Sequence, residues 1–248
     1  AYSFDLLTEQ HGADFFHKTV NTIEGKLTDG WPCWAIGNHD VARVATRWNA
    51  TSEQQLKAYM AMLLTLRGSV CIYQGEELGL PEADILYDEL TDPRGIRFWP
   101  EDKGRDGCRT PMPWQHSLPN AGFTTGKPWL PVKPAQSALS VDVQEADPAS
   151  TLNFYREFLA WRKTHPALIT GDISFFKCDE PVLAYRRTAG NKDLICVFNL
   201  SAEQRVIKLS KVELVLEPVS HNATLEGASL QLGPNGFAIL PASVGEGR

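Results

Sequence analysis

The chain has 248 residues, 43% of them hydrophobic and 22% charged, and its formal net charge is −6. This composition is typical of a globular protein with room for one large domain, or for a medium domain and a small one. The negative charge argues against a nucleic-acid partner, which recruits basic surfaces. No apolar run is long enough to cross a membrane, so we expect no membrane partner either.

The first third of the chain alternates helix signals with short buried strands. Apolar spacing after Thr8 predicts a helix, and the apolar run 31–36 predicts a buried strand that ends in polar residues. A capping-box pattern at 51–54 begins a second helix, and the run 69–73 predicts a second buried strand. This order is the layout of a (β/α) barrel, whose chemistry lies at the carboxyl ends of its strands.

The middle of the chain has little periodicity. Residues 74–147 are rich in Pro, Gly and Trp, and we predict a long loop over the active site of the barrel. Asp147 and Pro148 are typical of a helix start, and they predict a helix that ends near Thr164.

After Pro166 the pattern changes to short β-type runs separated by turn residues. The runs lie at 173–177, 182–187, 194–199, 205–209, 212–217 and 236–241, with turns predicted at 190–191 and 234–236. The predicted fold is α/β: the C-terminal part of a (β/α)8 TIM barrel in residues 1–166, then a small antiparallel β-sandwich domain in residues 167–248. We expect that sandwich to close its own core.

The cysteines and histidines give no sign of a metal or redox motif. Five cysteines occur at positions 33, 71, 108, 178 and 196, and the six histidines lack metal-ligand spacing. Free thiols in a reducing compartment, and hence a cytoplasmic location, are the favoured interpretation. A Cys178–Cys196 bridge is the alternative. A periplasmic location stays open because the sequence begins at Ala1 rather than Met, so we expect a processed chain or a fragment.

The two strand ends belong to a longer series of motifs. The series is 36–40 (IGNHD), 73–77 (YQGEE), 92–99 (DPRGIRFW), 104–114 (GRDGCRTPMPW), 122–126 (GFTTG) and 196–201 (CVFNLS). In this order the motifs resemble the α-amylase-type (family 13) glycoside hydrolases, and 104–114 resembles their α-glucosidase and oligo-1,6-glucosidase branch. A lone Asn-His-Asp tripeptide would fit any capped turn, whereas the ordered series is specific.

The resemblance implies a role for each polar residue at the strand tips. Asp40 corresponds to the third carboxylate of the family, which is neither nucleophile nor acid. It would accept hydrogen bonds from sugar hydroxyls, and its charge would favour a cationic transition state. His39 and Asn38 would bind the same sugar. Arg109 resembles the arginine that grips the terminal glucose, and Arg105 is the second candidate for that role.

Each of these roles has a structural alternative. His39 could be a buried histidine that holds the loop, and Arg109 could form an ion pair with Asp106. The resemblance implies that Glu76 and Glu77 are structural, since they would accept backbone hydrogen bonds under the barrel mouth. The aromatic residues Trp99, Trp114, Phe123 and Trp129 could stack on sugars, but core packing is the favoured interpretation for most of them.

The resemblance also implies what lies outside this chain. In the family, the nucleophilic Asp and the acid Glu follow earlier barrel strands, and none of the residues before Asn38 matches their motifs. Residues 2–7 look like the end of strand six. We therefore expect a partner: the N-terminal half of the same enzyme, as a separate or cleaved chain. No cofactor is expected in this chain, and a Ca²⁺ ion is possible on the N-terminal half.

The function implied is that of a retaining α-glucosidase or α-glucosyltransferase. It would cleave terminal α-linked glucose from small oligosaccharides or α-glucosides, and the chain alone would be inactive. Water and a sugar hydroxyl are equivalent acceptors at this level, and the linkage preference is undetermined. The alternative is a non-catalytic relative that acts as a binding or interaction subunit, and the presence of Asn38, His39, Asp40 and Arg109 argues against it.

Overall fold

The structure is a computed structural model that describes residues 2–190, 192–209 and 214–242. Its first part contains the helices and strands expected of a barrel segment. They are α1 (Ala13–Glu24), β1 (Cys33–Trp34), α2 (Val44–Arg47), α3 (Glu53–Thr65) and β2 (Ser69–Val70). The strands β1 and β2 are parallel, and Tyr2 forms a parallel bridge with Cys33 on the other side of β1. Three neighbouring parallel segments are the arrangement of barrel strands.

Helix α3 lies at the centre of the molecule and is buried along nearly its whole length. It begins where the capping box predicts, because the Ser52 side chain accepts a hydrogen bond from the Gln55 amide at 3.2 Å. The Gln55 side chain in turn accepts one from the Thr51 amide at 3.0 Å. Its apolar side chains join those of α1 and of Trp34 and Ile36 in one core.

The segment 74–147 contains short helices rather than a structureless loop. They are α4 (Pro93–Phe98), α5 (Pro134–Ser137) and α6 (Val141–Glu145), with 3-10 turns at Tyr87–Glu89, Asp106–Cys108 and Pro119–Gly122. Helices of four to six residues are too short to give a periodic apolar face. The next helices are α7 (Thr151–Lys163) and α8 (Pro166–Ile169). Ser150, not Asp147, caps α7, since its side chain accepts from the Asn153 amide.

The C-terminal part is antiparallel, as predicted. Its strands are β3 (Asp172–Phe175), β4 (Val182–Thr188), β5 (Asp193–Asn199), β6 (Arg205–Lys208), β7 (His221–Glu226) and β8 (Ser229–Ala242). The described strands form a six-stranded sheet in the order β3-β4-β5-β8-β6, with β7 also paired to β8. The α/β fold, a C-terminal barrel segment followed by a small antiparallel β domain, is therefore confirmed.

Two of the predicted features differ from the structure, and one strand was not predicted. The turn expected at 234–236 lies inside the 14-residue β8, where Asn235 adopts a φ of 51°. The strand β7 has no counterpart among the predicted runs. The run at 212–217 is not a strand in its described part, 214–217, and residues 212 and 213, like Asn191 of the turn at 190–191, lie outside the described residues.

The two faces of the sheet belong to different cores. One face carries Tyr185, Cys196, Phe198, Phe237 and Ile239, which share the core of α1, α3 and α7. The opposite face carries a separate cluster of Ala184, Val197, Leu230, Leu232, Ala238 and Leu240. The β domain therefore has a core of its own on one face only, and its other face shares the core of the barrel segment. The division into 1–166 and 167–248 stays a prediction, because the larger core crosses that boundary.

Polar contacts bind the sheet to the end of α3. Arg187 is fully buried, and its Nη1 atom donates to the carbonyls of Thr65 at 2.6 Å and Leu66 at 2.8 Å. The Tyr185 hydroxyl donates to the Met62 carbonyl at 3.1 Å. The Leu66 amide already donates to the Met62 carbonyl at 3.2 Å, whereas the carbonyls of Thr65 and Leu66 lie at the open end of the helix, where Arg187 satisfies them.

All five cysteines are free thiols, and all lie in the described part of the chain. Cys196 packs in the core on one face of the sheet and Cys178 packs against the cluster on the other face. The sheet separates the two residues, so the alternative Cys178–Cys196 bridge is wrong. In the ranges that the structure describes, no helix is long and apolar enough to span a membrane.

Candidate active site

The polar tip that follows β1 is the starting point of the site. The side chain of Asn38 is buried, and its Oδ1 atom accepts a hydrogen bond from the backbone amide of Asp40 at 2.8 Å. This bond closes a turn that holds the Asp40 side chain at the carboxyl end of the strand. The Asp40 side chain is 44% exposed and can meet a ligand.

Two arginines from the segment 74–147 converge on Asp40. Arg105 Nη1 and Arg109 Nη2 both donate to Asp40 Oδ1 at 3.1 Å. Arg109 Nε also donates to the backbone carbonyl of His39 at 2.7 Å. Arg105 and Arg109, two of the predicted site residues, therefore contact Asp40 directly although they lie 65 and 69 positions away in the sequence.

The alternatives considered for His39 and Arg109 do not match this geometry. The His39 side chain is 66% exposed, with Nε2 at 3.5 Å from Asp40 Oδ2, so it is not a buried loop support. The carboxylate of Asp106 accepts hydrogen bonds from Thr91 and from the Asp92 amide, and the side chain of Arg109 points to Asp40 instead.

Asp92, the first residue of the motif at 92–99, also belongs to this arrangement, although it is not among the predicted site residues. Arg105 Nε donates to Asp92 Oδ2 at 2.8 Å and Arg105 Nη2 donates to Asp92 Oδ1 at 3.1 Å. This is a two-bond fork between a guanidinium and a carboxylate, the strong geometry for such pairs. The hydrogen bonds from Arg105 hold the pKa of Asp92 well below its usual range.

Arg105 and Arg109 thus differ in what they can offer a ligand. Arg105 uses Nε, Nη1 and Nη2 on the two aspartates. Among the contacts of the described residues, Arg109 uses Nε and Nη2 and keeps Nη1 without a hydrogen bond. Arg109 therefore retains more donor capacity for a bound sugar than Arg105 does.

Glu76 and Glu77 lie beneath the tip and accept backbone hydrogen bonds. Glu76 Oε2 accepts from the Tyr73 amide at 3.1 Å, and Glu77 Oε2 accepts from the Gly75 amide at 2.8 Å. Burial raises the pKa of Glu76 to about 8. This position agrees with a structural role under the barrel mouth.

Arg47 is a second residue near Asp40 that is not among the predicted site residues. Its guanidinium donates to the carbonyls of Ile36 and Ala42 on either side of the tip, and to that of Thr8 at 3.0 Å. Burial lowers its pKa. These bonds tie the loop after strand six to the end of β1, a long-range connection with no local sequence signal.

The aromatic residues are more exposed than expected. Trp129 is 57% exposed, and Trp114 and Phe123 are close to half exposed, so core packing is wrong for these three. Trp99 is partly buried and packs against the cluster of Ala83, Ile85, Leu90 and Leu130. Among residues 2–190, 192–209 and 214–242, no group of three or more His, Cys, Asp or Glu side chains could hold a metal ion.

These elements form a segment of a (β/α) barrel with a carboxylate and two arginines at the ends of its strands. The chain belongs to the α-amylase family: the description "Alpha amylase, catalytic domain" matches residues 1–171.

Similar proteins have names that fit that family. A probable α-glucosidase of Rhizobium meliloti (strain 1021) is 47% identical over 205 residues, which cover 80% of this chain and 36% of the relative. An oligo-1,6-glucosidase of Parageobacillus thermoglucosidasius is 32% identical over 216 residues, covering 77% of this chain and 37% of the relative.

Solved structures match the fold closely. The crystal structure of an α-glucosyl transfer enzyme, XgtA, superposes with a TM-score of 0.92 at 44% identity, and the match covers 97% of this chain and 46% of that one. The chain thus spans about a third of the length of the two relatives above and about half of the length of this structure.

Proposed function

We propose that this chain supplies the side of the active site that lies at the ends of β1 and β2 in a retaining α-glucosidase or α-glucosyltransferase. The substrate class is a small oligosaccharide or α-glucoside with a terminal α-linked glucose. The observation that carries the proposal is Asp40: a half-exposed carboxylate at a strand end, held on one oxygen by Arg105 and Arg109.

The geometry of Asp40 suits the stabilisation of a sugar cation. Both guanidinium groups donate to Asp40 Oδ1. Asp40 Oδ2 has His39 Nε2 at 3.5 Å among the described residues and can accept hydrogen bonds from sugar hydroxyls. A retaining glycosidase passes through a transition state with oxocarbenium character. A carboxylate fixed beforehand stabilises that charge without reorganisation at the moment of reaction.

The other residues would bind the glucose around Asp40. The exposed imidazole of His39 has Nε2 at 3.5 Å from Asp40 Oδ2, and Arg109 Nη2 donates to Asp40 Oδ1, so both side chains border the Asp40 carboxylate. Asn38 would act through the turn that it closes, and Arg105 through its contact with Asp40. We propose that Arg109 rather than Arg105 grips the terminal glucose.

The nucleophile and the acid would lie on a part of the enzyme outside residues 1–248. Retaining chemistry needs two carboxyl groups about 5 Å apart, and Asp40 alone stands at a strand tip among the described residues. We propose that an N-terminal half, joined or separate, supplies both groups and is the partner of this chain. The names of the similar proteins support hydrolysis and glucosyl transfer alike.

The test is Asp40→Asn in the complete enzyme, meaning the protein that contains this chain together with the strands carrying the nucleophile and the acid. The substitution keeps size and removes the charge, so kcat should fall about a hundredfold or more, or about 2.7 kcal/mol of transition-state stabilisation. Asp84→Asn is the matched control, because Asp84 pairs with Lys103 on the surface and should leave kcat unchanged. A variant Asp40→Asn with full turnover and only a raised KM would refute the proposed role.

A further inference from the structure

The Asp92 carboxylate is buried, and it accepts hydrogen bonds from Arg105, which in turn donates to Asp40. Its side chain is 1% exposed. We propose that Asp92 is a positioning residue for the reaction: it fixes the Arg105 guanidinium and offsets its charge, so that Asp40 is held in place without a net positive charge around it.

Asp92 sets the position and direction of the Arg105 side chain. Arg105 is attached to Asp92 at three points, through Nε at 2.8 Å, Nη2 at 3.1 Å and the backbone amide at 2.9 Å. The guanidinium is planar, so the two side-chain bonds set the direction of Nη1, which donates to Asp40. A long and partly exposed side chain such as that of Arg105 would lose this direction without the fork.

Asp92 is itself held by hydrogen bonds to two neighbouring segments. Its amide donates to Asp106 Oδ2 at 2.8 Å, and its Oδ1 atom accepts from the Arg94 amide at 3.2 Å, at the start of α4. Asp106 is buried and also accepts from the amide of Thr91. The fork is therefore built on a rigid base rather than on a surface side chain.

Asp92 also acts through its charge. Arg105 places a full positive charge beside Asp40, and an uncompensated cation there would oppose a positively charged transition state. Asp92 remains ionised, because Arg105 holds its pKa well below the usual range. Arg109 also bonds Asp40, so the carboxylates of Asp92 and Asp40 balance the two guanidinium groups; without the Asp92 charge the cluster would have a net positive charge, which would repel a sugar cation.

The experiment compares Asp92→Asn, Arg105→Gln and the double variant in the complete enzyme. We expect Asp92→Asn to lower kcat about tenfold or more on p-nitrophenyl α-glucoside, with KM changed less, since small misplacements of reacting groups cost up to about a hundredfold. We also expect the double variant to be no slower than the slower single variant, because both changes interrupt one connection.

The matched control is Asp102→Asn. Asp102 accepts from Arg94 Nε at 2.7 Å and from the Gly104 amide at 2.8 Å in the same segment, without contact to Arg105 or Asp40. It should keep kcat within about twofold of the parent enzyme, as expected of a surface pair. If Asp92→Asn keeps normal kcat and only lowers the melting temperature, or if its effect on kcat adds in full to that of Arg105→Gln, the proposal is overturned.

This inference rests on the proposed function of Asp40, and the variants separate the two failures. Loss of kcat in Asp40→Asn with normal kcat in Asp92→Asn refutes the role of Asp92 alone. Normal kcat in Asp40→Asn refutes the proposed function. Should Asp92→Asn fail to fold, Arg105→Gln decides, because Arg105 is partly exposed and its replacement leaves the cap of α4 in place: unchanged kcat in that variant overturns the proposal.

Discussion

Gly37 lies against the carboxylate of Glu76, and a Cβ atom at position 37 would overlap Glu76 Oε1. Position 37, just before the Asn38 turn, is therefore a glycine because any larger residue would overlap the buried Glu76 side chain, which follows β2. The contact connects the tip of one barrel strand with the end of the next.

Gly37→Ala in the complete enzyme should therefore destabilise the fold and displace Asn38 and Asp40. Overpacking of this kind costs about 1–3 kcal/mol, and kcat should fall with it. The measurements are the melting temperature and turnover of an aryl α-glucoside. Gly126→Ala is the control, because a Cβ atom there meets only Thr124 Oγ1 at 3.8 Å. Equal effects of the two substitutions would contradict the steric explanation.

Glu76 should make stability depend on pH. Burial raises its pKa to about 8 from an ordinary value of 4.5, so between these values the folded protein holds a proton that the unfolded chain has lost. Stability therefore falls as pH rises through this window and is unaffected by Glu76 below it. Arg47 and Arg43 oppose the shift and Glu77 adds to it.

The measurement is the melting temperature of the parent enzyme and of Glu76→Gln from pH 5 to pH 8. The amide resembles the protonated acid, so the variant should gain on the parent enzyme as pH rises. Curves that stay parallel over the whole range would mean that Glu76 does not titrate there.

Arg109→Lys should impair the enzyme although the charge is kept. Arg109 contacts both the His39 carbonyl and Asp40 through different nitrogens, and one ammonium cannot make both bonds in that geometry. We expect kcat/KM to fall about tenfold or more for every substrate with a terminal α-glucose, whatever the leaving group. Arg94→Lys, at an exposed pair with Asp102, is the control. Unchanged hydrolysis of an aryl α-glucoside would remove Arg109 from the sugar site.

Residues 1–248 assayed alone should release no p-nitrophenol from p-nitrophenyl α-glucoside, because Asp40 cannot replace a pair of carboxyl groups. Addition of the N-terminal part as a second polypeptide should restore turnover, and the same mixture made with Asp40→Asn should not. Turnover by this chain alone would require a catalytic pair among Glu76, Glu77, Asp84 and Asp106, although Glu76 and Asp106 are buried.

The features that the sequence predicts well depend on local patterns. The capping pattern at 51–54 and the apolar runs that end near Asn38 and Gln74 correspond to α3, β1 and β2. The burial predicted for the run 69–73 is wrong, because Ser69 and Cys71 are exposed and Val70 is half-buried in this chain. Regular apolar patterns also predict β4 and β5. By contrast, β7 has only two apolar residues, Ala223 and Leu225, which is too few to predict a strand. The turn predicted at Pro234-Asn235-Gly236 lies within β8, because Asn235 accommodates a bend without ending the strand.

The site is predictable only in its parts. The motifs indicate Asp40, His39 and Arg109, but the contacts among them join positions about 65 to 70 apart. Asp92 and Arg47 depend on how distant loops pack, and a single sequence contains no record of that packing. The exposure of Trp114, Phe123 and Trp129 was likewise mispredicted, since aromatic content does not indicate which face of a loop meets water.

The burial of Tyr185 and Arg187 against the end of α3 limits how the β domain can be exchanged between related enzymes. A chimera joined near residue 167 would inherit a sheet face shaped by one parent and a helix surface shaped by another. Such hybrids should fold only when the graft brings Tyr185 and Arg187 together with the Met62–Leu66 backbone that receives their hydrogen bonds. In evolution and in protein engineering alike, α3 and the β domain should therefore be inherited as one unit, with the loops around Asp40 left free to diversify.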